Sequence, residues 1–171
     1  MRALLERIGN LLHGLIALAC VWLAASSPWL ALYYRLPESP GAIDLSHVVI
    51  GLALLPITLL YFAACTLGGR WRLYFPWLAG QGGSVLTDIA GIFGGIRPGS
   101  EGGGLFAAIE GLLLLTLLVA CVSGAFWFAL QGSDAAVVAR SAHRAVAHAL
   151  IALLLAHVAA VALHLVDLVR D

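Results

Sequence analysis

Long apolar runs broken by short polar stretches dominate the chain, and four of them reach the ~20 residues a helix needs to cross a hydrocarbon core. They fall at about residues 11–34, 46–67, 105–130 and 141–168. The first contains Ala24-Ala25-Ser26, which imitates a signal-peptide cleavage site, but the apolar run continues through WLALYY to span length and predicts a retained helix. The break RLPESPGAID, with two prolines and a glycine, precedes the second span; Asp44 or Ser46 is expected to cap it and Pro56 to kink it. Residues 68–104 form the one long polar section. Its opening GGRWRLYFPWL mixes Arg, Trp and Tyr as an interfacial belt does. Within it, apolar residues at 85, 86, 89, 92 and 93 predict a short helix lying on the membrane surface, followed by the loop IRPGSEGGG. A polar turn, QGSD, leads to the fourth span. The expected fold is all-α: one transmembrane domain, 1–171, built as an up-down-up-down four-helix bundle.

Composition agrees with that pattern. The chain has 171 residues, of which 62% are hydrophobic and 11% charged. The mean hydropathy is +1.01, which a soluble domain of this size has no use for. Formal net charge is zero, so no nucleic-acid partner is indicated. All nine basic residues are Arg, and the absence of Lys excludes a phosphate-binding P-loop and a Schiff-base lysine. Cys20, Cys65 and Cys121 sit in separate apolar runs, without the spacing of an iron–sulfur site or a covalent haem attachment, and read as small buried hydrophobes. With the N-terminus inside, the inner segments hold Arg2, Arg7, Arg70, Arg72, Arg97 and Arg170, and the outer ones Arg35, Arg140 and Arg144. That bias predicts cytoplasmic N- and C-termini. Trp22, Trp77 and Trp127 are expected to be belt anchors or core.

Histidines supply the candidate chemistry. The last span carries His143, His148, His157 and His164. On a helix advancing ~100° per residue, His143, His157 and His164 fall on one stripe, and His148 faces elsewhere. The fourteen-residue step from His143 to His157 is ~21 Å of rise, most of the hydrocarbon thickness. His13 lies near the inner end of the first span and His47 at the outer end of the second. The residues therefore sort by depth into two level pairs, His47 with His143 outside and His13 with His157 inside. An imidazole within a span is costly unless it has a partner. Paired imidazoles from facing helices suit haem iron, whereas other transition-metal sites more often add carboxylate or thiolate.

These pieces resemble the bacterial cytochrome b561 family and, more broadly, the di-haem cytochrome b subunits of formate dehydrogenases and hydrogenases. The likeness rests on His13 in ERIGNLLHGLIAL, His47 in LSHVVIGLALL, His143 and His157 fourteen residues apart, and the tail LLAHVAAVALH ending at His164. It implies two b haems between helices 1, 2 and 4, axially ligated by His13, His47, His143 and His157. It also implies electron transfer between ubiquinone or menaquinone and a periplasmic or membrane-bound redox protein or dehydrogenase subunit. Arg144 and His164 are candidate contacts to haem propionates or quinone, and Arg140, Arg70 and Arg72 further propionate partners. The expected location is the bacterial inner membrane. Two other readings stand beside this one. One is a superoxide oxidase that reduces quinone, drawing on Arg35, Arg140 and Arg144 as an outer basic funnel. The other is a haemless membrane adaptor.

Overall fold

The computed structural model describes residues 2–67, 71–95 and 104–170, with side chains over 7–67, 71–95 and 104–162. Arg70 and Arg97, and the side chains of Arg2, His164 and Arg170, on which expectations rest, lie outside the described residues. The described residues are helical, without strands. In chain order the helices are α1 (Arg2–Ser26), α2 (Ala42–Thr66), the single turn α3 (Trp71–Tyr74), α4 (Gly82–Phe93), α5 (Leu105–Ala129) and α6 (Asp134–Arg170). Four helices, α1, α2, α5 and α6, are long and apolar enough to cross a membrane. Large apolar side chains point outward along them, among them Leu18, Val21, Leu60 and Phe126, as lipid contact requires.

Three helix ends differ from the sequence expectation, each for a local reason. The first span stops at Ser26 instead of continuing to 34, because Pro28 has no N–H to return to the Ala24 carbonyl. The Ser27 hydroxyl takes that carbonyl instead, at 2.9 Å, and a 3-10 turn at Ser27–Trp29 ends the helical path. Neither Asp44 nor Ser46 caps α2, which starts at Ala42; the Asp44 carboxylate accepts from the Ala31 N–H at 2.8 Å, and the Ser46 hydroxyl donates to the Ile43 carbonyl. The last helix begins at Asp134, before the expected 141, since Gly132 at φ 83° closes a tight turn and the Asp134 carboxylate suits a helix N-terminus. Pro56 lies inside α2, which runs through it without a break in assignment.

The chain divides into two compact units. One comprises Met1–Ala64 with Thr116–Leu150, and the other Cys65–Leu115 with Ile151–Asp171. In the first unit, Ile16 of α1, Leu54 of α2, and Leu117 and Cys121 of α5 form a buried cluster against which Cys20, Tyr61 and Leu150 pack. Lipid is as apolar as these side chains, so close packing holds the helices together more than water exclusion does. A second cluster, Leu32, Val48, Trp127 and Ala136, closes one end of this unit.

That end is finished by non-helical chain. Residues 30–36 run as a strap, and four hydrogen bonds tie it to α5, α6 and the turn between them. The Trp127 indole N–H donates to the Tyr33 carbonyl (3.1 Å), Arg140 Nε to the Leu32 carbonyl (2.7 Å), Gly132 N–H to the Tyr34 carbonyl (3.2 Å), and Leu36 N–H to the Gln131 side chain (2.7 Å). The Arg140 guanidinium also lies 4.9 Å from the Tyr33 ring centroid. Trp127 is thus core, while Trp22 and Trp77 are exposed.

In the second unit, α4 is the expected short amphipathic helix. It leaves Leu86, Ile92 and Phe93 exposed, as an interfacial helix does. Its Asp88 carboxylate accepts from the Leu105 N–H at 2.8 Å and so satisfies a free donor at the start of α5.

Candidate functional site: the histidines of the helical core

The first unit holds three of the four predicted ligands, His13, His47 and His143. Helices α1 and α2 run antiparallel, and two side-chain bridges mark their opposite ends. His13 Nδ1 of α1 lies 3.3 Å from the Tyr61 hydroxyl of α2, and His47 Nδ1 of α2 lies 3.2 Å from the Ser26 hydroxyl of α1. Thirteen residues of α1 separate the two bridges, ~20 Å of helix. His13 and His47 are therefore at opposite depths, as the sequence pattern expects. His13 is exposed at the edge of the unit; His47 is half-buried.

His143 comes from α6 and points at α5. Its Nδ1 lies 2.9 Å from the Ala120 carbonyl and 3.3 Å from the Ser123 hydroxyl. Gly124 makes this approach possible, because a Cβ there would sit 3.3 Å from both Cε1 and Nδ1 of the ring. His47 and His143 lie close enough to each other to interact electrostatically. Both residues expected at the outer level thus lie in the first unit.

The other predicted residues are placed as follows. His157 is half-buried on the stretch of α6 that belongs to the second unit. His148 and Arg144 are exposed on α6. Arg140 is committed to the strap through its Nε, and Arg72 lies over the neighbouring Trp71 ring at 5.6 Å. Sequence reasoning missed Ser26, Tyr61, Ser123 and Gly124, which hold the imidazoles. A helical wheel could have flagged Gly124 and Ser123 as small residues in an otherwise bulky span, but nothing in their spacing ties them to a histidine.

The family profile for prokaryotic cytochrome b561 matches residues 5–168. No curated protein and no solved structure matches the chain. The family implies haem b, and the residues present fit it. The three candidate ligands of the first unit, His13, His47 and His143, have Nδ1 engaged by a protein oxygen, which leaves Nε2 for iron. Gly51, one turn along α2 from His47, is only partly exposed, yet a Cβ there would meet nothing within 4 Å. The match over nearly the whole length, the four spanning helices and these imidazoles place the chain in the prokaryotic cytochrome b561 family, as a membrane b-type cytochrome of electron transfer.

Proposed function

We propose that this protein is a di-haem cytochrome b that carries single electrons across the bacterial inner membrane. His47 and His143 are the axial ligands of an outer haem, and His13 and His157 those of an inner one. The observation that carries this reading is the engagement of Nδ1 in His13, His47 and His143 by oxygens of neighbouring helices. Bis-imidazole haem iron supplies one-electron transfer and has no open coordination position for oxygen chemistry. The chain's own part is to set the two levels. Helix α6 runs from Asp134 to Arg170, and the fourteen-residue step from His143 to His157 is ~21 Å of helical rise.

In this reading the termini are cytoplasmic, as the arginine bias indicates, and the strapped end faces the periplasm. The inner haem exchanges electrons with ubiquinol or menaquinol. The outer one exchanges them with a periplasmic or membrane-bound redox protein or dehydrogenase subunit. His164 and Arg144 are proposed as contacts to quinone or propionate.

The test is a pyridine-haemochrome assay with haem quantified per chain. Two b haems per chain are expected. One would mean that a pair is wrongly assigned, and a colourless protein after haem-replete expression would overturn the reading. Replacing His164 without any change in quinol oxidation would remove that residue from the quinone site.

A further inference from the structure

The serines beside the strapped-end histidines do more than fill space. Ser26 Oγ lies 3.3 Å from the Leu23 carbonyl and Ser123 Oγ lies 3.0 Å from the Ala120 carbonyl, so each hydroxyl hydrogen is spent on the carbonyl three residues earlier in its own helix. A serine hydroxyl has one hydrogen to give. Towards the imidazole 3.2–3.3 Å away, each of these two can only accept. The partner nitrogen must then carry the proton. For His143 the Ala120 carbonyl at 2.9 Å imposes the same demand, since a carbonyl is never a donor.

We infer that Ser26 and Ser123 are positioning residues that hold His47 and His143 in the Nδ1–H form, fixing both ring rotation and the nitrogen left to bind iron. The inference rests on the proposed ligation and adds to it a ranking. His143 donates towards two acceptors, the Ala120 carbonyl and Ser123. Among the described residues His47 has one, Ser26. Donation from Nδ1 makes an imidazole a more basic ligand and favours ferric iron. Losing Ser26 therefore removes the one acceptor His47 has among the described residues, whereas losing Ser123 leaves the nearer acceptor of His143 in place.

The experiment uses the haem-loaded full chain and reads midpoint potentials by spectroelectrochemistry and the low-spin ferric g values by EPR. Ser26→Ala is expected to raise the potential of one haem of the pair and shift its largest g value, with haem content held and the other haem unmoved. Ser123→Ala is expected to give a smaller shift in the same direction. Ser26→Thr, which keeps the hydroxyl, is expected to restore the wild-type values. Unchanged potentials and g values in Ser26→Ala would overturn the inference. So would a Ser123→Ala shift larger than that of Ser26→Ala, or a haem loss in Ser26→Ala that Ser26→Thr fails to reverse. His47→Ala serves as the separate control: if it retains both haems, the ligation itself is wrong, whatever the serines do.

Discussion

The two ends of the α1–α2 pair solve one problem with different means. At the His47 end the ring is half-buried, its hydroxyl partner closes α1, and seven residues of extended chain are tied across α5 and α6 above it. At the His13 end the ring is exposed, and its described partner is the Tyr61 hydroxyl one helix away. Both imidazoles have Nδ1 engaged. What differs is how much of the surrounding chain must move before the ring can. At the strapped end, polar backbone that left the helix has been reused as scaffold; at the open end, orientation depends on helix packing and a single long side chain. Ligand identity is therefore separable from ligand stiffness, and the two ends should answer mutation differently.

The largest effect is expected from the proposed ligands. His47→Ala or His143→Ala should each remove about half of the haem, and His13→Ala the other half, read by pyridine-haemochrome assay on purified protein. If His47→Ala and His13→Ala removed the same spectral component, the two ends would not be separate sites. Next comes Gly124→Leu. Its side chain would press on the His143 ring, so the strapped-end haem should be lost while the His13 haem stays. Overpacking of this kind costs about 1–3 kcal/mol, visible as a lower melting temperature in detergent. Smaller again is Trp127→Phe, which keeps the buried ring but deletes the bond to the Tyr33 carbonyl. A loss of about 1 kcal/mol is expected, with haem content unchanged. His148→Ala should do least. This ring is exposed on α6, so stability should stay within about 0.5 kcal/mol and both haems should remain.

The helices and the histidine ladder were legible because both are written in residue type and spacing: apolar runs of span length, and imidazoles where an apolar helix has no other use for them. The strap was not. Residues 29–34 are as apolar as the helix before them, and what ends the helix is one missing N–H at Pro28, whose effect depends on which carbonyl it abandons. The early start of α6 was hidden for a related reason. Asp134 and Arg140 flank five apolar residues, and two charges at that spacing mark no boundary between turn and helix. Ser26 and Ser123 were illegible because a serine that bonds its own helix gives no periodic signal, and its second partner lies 21 or 20 residues away across a helix boundary.

The strap also imposes an order of events during biosynthesis. The carbonyls of Leu32, Tyr33 and Tyr34 leave the ribosome with no partner of their own, and the donors that satisfy them, Trp127, Gly132 and Arg140, are translated 94 to 108 residues later. At ~5–20 residues per second that is a delay of roughly 5–20 s. His143 arrives last of all the groups at this end. The first hairpin must therefore wait at the membrane, its end hydrated and His47 without His143, until the final helix is threaded. A chain that stalls or is cut before residue 140 would be inserted yet unfinished, recognisable to quality control by an open end and by the absence of colour.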